Sequence, residues 1–126
     1  MSYHTIILQG RLTKEPEMKY TKEGKAVCSL NVAVNDGYGD NKKTIWFRVT
    51  CWEKIAEAMN SYAVKGQEVI VEGKLHHENG NPRVYQKLDG TSGASFEVTA
   101  KDIVLGAKPK NADAPVDTVT QEDMPF

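Results

Sequence analysis

From residue 26 to residue 35 the chain reads AVCSLNVAVN, in which nearly every second side chain is apolar. Cys28, Leu30, Val32 and Val34 form one row, and Ser29, Asn31 and Ala33 form the other. A period of two is the geometry of an extended strand with one face turned to a core. The pattern returns four times. Residues 5–12 place Ile6, Leu8 and Leu12 opposite Ile7, Gln9 and Arg11, and residues 68–76 place Val69, Val71 and Leu75 inward. Residues 44–52 and 95–105 make the third and fifth strand regions.

The segments between them punctuate the pattern. Residues 13–25, with Pro16 and Gly24, read as a connection, and residues 36–43 (DGYGDNKK) as a flexible loop. After residue 52 the period changes: Ile55, Ala58, Met59, Tyr62 and Ala63 recur at helical spacing, and Gly66 is placed to stop that helix. Residues 82–88 extend the fourth strand region beyond a turn at 79–81, and Asp89-Gly90 makes a second turn. Five strand regions with one helix between the third and fourth is the order of an all-β, five-stranded oligonucleotide/oligosaccharide-binding barrel, the OB-fold.

A length of 126 residues suits one such domain. The pattern divides the chain at residue 105, with residues 106–126 as a tail expected to be disordered over 107–121. The net charge of −1 gives no support to a polyanion partner; residues 1–105 are close to neutral, and the tail is acidic. Residues 1–11 have no basic start or long apolar segment, and no stretch has the length of a membrane span, so a cytoplasmic location without a membrane partner is expected. Cys28 and Cys51 each lie in an alternating apolar row, which reads as buried free thiols in a reducing compartment. The three histidines and two cysteines lack ligand spacing, and His76 and His77 on a strand point to opposite faces, so neither metal nor cofactor is expected.

Residues 45–52 (IWFRVTCW) carry the chemistry. Alternation sends Ile45, Phe47, Val49 and Cys51 to one face and Trp46, Arg48, Thr50 and Trp52 to the other. A flat indole matches an unpaired base, and such stacking hardly depends on which base it is. Arg48 can meet a phosphate or stack on a base itself. The residues alone leave two readings open: a platform for a single strand, or a face covered by the helix or by another subunit. Tyr38, with Lys42 and Lys43 nearby, and Tyr85, between Arg83 and Lys87, interleave rings and cations in two loops, as a groove for flexible nucleic acid requires. Each alone also suits an ordinary surface. At the end of the chain Glu122, Asp123, Met124, Pro125 and Phe126 combine carboxylates, an apolar pair and a terminal aromatic. A basic-walled pocket could capture that tip; a frayed terminus is the alternative.

Both constellations occur together in one family. The chain resembles bacterial and phage single-stranded DNA-binding proteins over nearly its whole length. The matching residues are Gly10-Arg11-Leu12, Pro16-Glu17, Tyr20 and residues 30–34 (LNVAV). The most specific stretch has Trp46-Phe47-Arg48-Val49, Trp52, Ala56-Glu57, Tyr62, Lys65-Gly66, Val69 and residues 71–75 (VEGKL), and the chain ends Asp-Met-Pro-Phe.

The resemblance implies that Trp46, Trp52, Tyr38 and Tyr85 are stacking aromatics, the position of Trp52 being commonly phenylalanine. It implies that Arg48, Lys54 and Lys65 line a DNA path, and Lys42, Lys43, Lys74, Arg83 and Lys87 complete the candidate cations. It further implies a homotetramer, with Phe47 standing near the subunit contact where some relatives carry a polar residue or histidine. The tip would recruit replication and repair enzymes through Glu122, Asp123, Pro125 and Phe126, with fewer consecutive acids than relatives often show. A 15-residue tether would reach about 20–25 Å.

Three rivals differ in kind. An RNA-binding or primosome-type accessory would use the same barrel and respond to the 2′-hydroxyl. A metal-dependent nuclease needs converging acids, whereas Asp36, Asp40 and Asp89 sit in turns where Asp is routine. A purely structural oligomer would bury Trp46 and Trp52. The expected function is therefore that of a non-enzymatic coat for unpaired DNA.

Overall fold

The computed structural model describes residues 2–109. Eight strands, β1 (Ile6–Leu12), β2 (Glu17–Tyr20), β3 (Ala26–Asp36), β4 (Lys43–Trp52), β5 (Glu68–Leu75), β6 (Val84–Gln86), β7 (Ser92–Ala94) and β8 (Phe96–Leu105), accompany the helix α1 (Glu53–Tyr62). The main sheet runs β1-β5-β8-β4-β3-β2, and pairing of Arg11 and Leu12 with Ala33 and Val32 closes β1 onto β3. Strands β1, β3, β4, β5 and β8 thus form the expected five-stranded barrel, with β4 and β8 parallel. Closure needs a tight crossing of β1 and β3: a Cβ on Gly10 would run into the carbonyl oxygen of Ala33.

The core follows the alternation. Leu8, Leu12, Cys28, Leu30, Val32, Val49, Cys51, Val69, Val71 and Val98 are buried together. Cys28 and Cys51 face each other directly across β3 and β4 as free thiols. Burial pushes the Cys51 thiol up to about 12 and raises Cys28 as well.

Helix α1 covers the core with Ala56 and Met59, continued by Ala63 just past its end. Tyr62, read as part of the apolar stripe, is exposed. The buried residues follow one another at intervals of three and four, and Tyr62 falls beside that line. Gln67, buried in the turn after α1, accepts from the Val64 N–H at 3.1 Å and donates to the Gly106 carbonyl at 3.0 Å. Backbone pairing continues beyond β8, with the Glu68 N–H donating to the Ala107 carbonyl.

Three local expectations need correction. The connection over 13–25 contains β2, whose Met18 pairs with Cys28. Its four residues (EMKY) turn one apolar side chain inward, too short a pattern to register as a period. Strand β5 ends at Leu75, one residue short of the expected end, and Leu75 is exposed there rather than buried. His76 and His77 therefore lie beyond the strand. Residues 82–88 do not prolong β5: β6 pairs with β7 as a separate hairpin, and Asp89 caps its turn by accepting from Thr91 N and Oγ1 at 3.0 and 2.7 Å.

Candidate nucleic-acid interface

Strand β4 supplies the centre of the site. Its inward row is buried at Phe47, Val49 and Cys51, so pleating forces Trp46, Arg48, Thr50 and Trp52 outward. Trp46 is 60% exposed and Trp52 42%, and α1 leaves both rings open. The neighbouring strands present small or polar partners: Ala33 lies opposite Trp46, Asn31 opposite Arg48, Ser29 opposite Thr50 and Val27 opposite Trp52. Nothing bulky on β3 shields the indoles. Immediately after Trp52, Glu53 takes φ 54° and turns the chain into α1. A left-handed backbone at a residue with a Cβ costs about 1–2 kcal/mol, offset here by the packing of β4 and α1 on either side.

On the other side of β4, parallel pairing aligns Arg48 with Glu97 and Thr50 with Thr99, and Thr99 in turn faces Lys74 on β5. Lys74 lies 5.7 Å over the Tyr3 ring. With Lys101, His76, His77 and Thr99 it lines an open groove of about 390 Å³. The two histidines share this groove because β5 has ended before them, so strand alternation no longer sends them to opposite faces. Lys101 joins them as the residue left without a partner where the register slips from Ala100 to Asp102.

The loop residues are distributed as follows. Tyr38 is 90% exposed at the start of a 3-10 turn over Gly39–Asn41, Lys42 follows it, and Lys43 begins β4 opposite Asp36. Tyr85 lies on β6, where its ring crosses Gly93: a Cβ there would sit 2.8 Å from the ring and 2.9 Å from Lys87 Cε. Arg83 precedes β6 and meets Glu97 at 3.5 Å. Lys54 stands in the first turn of α1, two residues after Trp52 in the chain, whereas Lys65 lies in the α1–β5 turn. The fold therefore gathers Trp46, Arg48 and Trp52 on one strand with Lys74 two strands away. It carries Tyr38, Lys42 and Lys43 where β3 passes to β4, and Arg83, Tyr85 and Lys87 in and around β6. Residues 122–126 lie outside the described residues.

Two charges missed by the sequence reading alter the electrostatics. Glu97 stands beside Arg48 and takes up Arg83, and Glu68 takes up Arg11 at 3.0 Å. Arg11 belongs to the row Arg11–Ala33–Trp46. Alternation along residues 95–105 could have put Glu97 on the outward face, but nothing local says which strand lies beside it.

Comparison with known proteins agrees with this architecture. The model of the single-strand binding protein family matches residues 3–105. A single-stranded DNA-binding protein of Neisseria meningitidis serogroup A is 32% identical over 118 residues, covering 89% of this chain and 65% of the relative. The chain thus spans just under two thirds of that relative's length. Single-stranded DNA-binding protein 1 of Synechocystis is 30% identical over 124 residues, covering 97% of this chain and 99% of the relative. A solved Plasmodium falciparum SSB complex with ssDNA matches with a TM-score of 0.68 at 25% identity, over 83% of this chain and 96% of that one. With an outward aromatic–cation strand on a closed barrel and a family match across that whole barrel, the chain belongs to the single-strand binding protein family.

Proposed function

We propose that this chain is a non-enzymatic protein that binds single-stranded DNA with little sequence preference, coating and protecting unpaired strands in replication, recombination and repair. The observation that carries the reading is the pair of open indoles, Trp46 and Trp52, flanking Arg48 on a strand whose other face is buried. Stacking uses the flat face that every base has, so it tolerates any sequence. Lys42, Lys43, Lys54, Lys65, Lys74, Arg83 and Lys87 would neutralise phosphates along the approach. No cofactor or metal enters the reading.

The relatives' names and the solved ssDNA complex support the substrate class. Assembly into a homotetramer is proposed from a second surface. Ile70 and Val104 face each other on the outside of β5 and β8, with Ile7 diagonal to Ile70 on β1, and all three are exposed. Residues 6–10 of β1 pair with β5 alone, so the other side of that half-strand is an open edge suited to a second copy. In this proposal residues 1–105 form the DNA-binding domain of a cytoplasmic protein, and residues 106–126 carry the tip Glu122, Asp123, Met124, Pro125 and Phe126 to replication and repair enzymes.

Titration with oligothymidylate tests the core of the reading, because Trp46 and Trp52 are the chain's two tryptophans. Saturating quenching of their emission is expected, with an affinity that falls with salt less steeply than a purely phosphate-held complex. Binding without quenching would move the DNA path off β4. Oligouridylate that competes as well as oligothymidylate would favour the RNA-binding accessory instead.

A further inference from the structure

Glu97 is a carboxylate in the middle of a surface read as a polyanion site. It lies beside Arg48 in the β4–β8 register, and its side chain is only 10% exposed. One oxygen, Oε2, accepts from Ser95 Oγ at 2.7 Å and from Arg83 Nη1 at 3.5 Å. Arg83, 43% exposed, opens the arm of residues 82–95 that carries Tyr85 and Lys87. The arm's remaining side-chain hydrogen bonds stay within it: Gln86 to the Gly90 carbonyl, and Thr91 to Asp89. Among the described residues, the Arg83–Glu97 pair is thus the ionic tie between arm and barrel.

Two features make this tie exchangeable. The 3.5 Å separation exceeds the about 2.7–2.9 Å of a tight charge-assisted bond. Glu97 also keeps a neutral donor, Ser95 Oγ at 2.7 Å, when Arg83 leaves it. Resting on the DNA-binding reading, we propose that Glu97 is an internal competitor for DNA. In the free protein it holds Arg83 and parks the arm; in the complex a phosphodiester of the bound strand takes Arg83 from it. Glu97 then lowers affinity and keeps the arm, with Tyr85, close to the barrel until DNA arrives. The ligand of the released Arg83 is a phosphate of single-stranded DNA, and Ser95 remains to satisfy the carboxylate.

The test is a double-mutant cycle of Glu97→Gln and Arg83→Gln in the full chain, read by oligothymidylate titration. Glu97→Gln keeps the shape and a hydrogen-bonding partner for Ser95. It should tighten binding by up to about fivefold, the ceiling for a partly exposed ion pair. In the Arg83→Gln background the same change should do much less. An equal gain in both backgrounds would mean simple removal of negative charge and overturn the handover, as would no gain or a loss. Tryptic cleavage after Lys87 without DNA reads the tie by itself: Glu97→Gln should speed it, and an unchanged rate overturns the parked arm. Wild-type protein that binds no oligothymidylate would strike the underlying reading and the handover together, while cleavage would still report on the ion pair. Arg83→Gln alters a surface arm outside the core, so the cycle keeps one arm that does not depend on refolding the barrel.

Discussion

Replacing Trp46 with alanine should cost more DNA affinity than replacing Trp52, because the barrel leaves more of the first ring uncovered. A tryptophan offers about 250 Å² at most, so exposures of 60% and 42% leave roughly 150 and 100 Å² open. A stacked base covers one side of the ring, about half of that. At about 25 cal/mol per Å² the lost burial is about 2 kcal/mol for Trp46 and about 1.3 kcal/mol for Trp52. Those figures lie within the about 1–3 kcal/mol typical of a base on an aromatic ring. They correspond to affinity losses of roughly thirtyfold and roughly tenfold, since about 1.4 kcal/mol is a factor of ten. Stability should follow the opposite order, because Trp52 has more of its surface already packed. Each variant keeps one tryptophan as reporter, so fluorescence titration and thermal melting can be run on the same samples. Both variants binding oligothymidylate as tightly as the wild type, with melting unchanged, would refute stacking on β4. A larger loss from Trp52→Ala would refute the proportionality to open ring area.

Other expectations address different parts of the molecule. Gly93→Ala should displace the Tyr85 ring, which a new Cβ would crowd at 2.8 Å, and weaken binding about as much as Tyr85→Ala while leaving the melting temperature nearly unchanged; circular dichroism and titration check both halves. Leu30→Ala empties a fully buried position and should cost about 2–5 kcal/mol in denaturant unfolding. The raised Cys51 thiol contributes stability that is complete below its ordinary value of 9.0 and is lost as pH rises toward the folded value of about 12. Alkaline unfolding of Cys51→Ala should therefore show a shallower decline across that window, and an identical slope would contradict the burial argument. Arg48→Gln should weaken binding and flatten its salt dependence, which a salt series reads directly.

The barrel, and the outward row of its candidate site, were largely legible in the chain. On β4 the inward row Phe47, Val49, Cys51 and the outward row Trp46, Arg48, Trp52 follow from a period of two, a property of one strand that needs no partner. The helix between β4 and β5 was legible for the same reason, though Tyr62 shows that a stripe's edge depends on what lies beneath it. Strand β2 escaped because a four-residue edge segment has too few inward positions to make a pattern. What tertiary structure alone decided were the neighbours. Glu97 stands beside Arg48 because β8 joins β4 in parallel, and His76 and His77 share a groove with Lys74 because β5 ends before them. Alternation tells a residue which way to face, but pairing between strands far apart in the chain determines which charges it meets there.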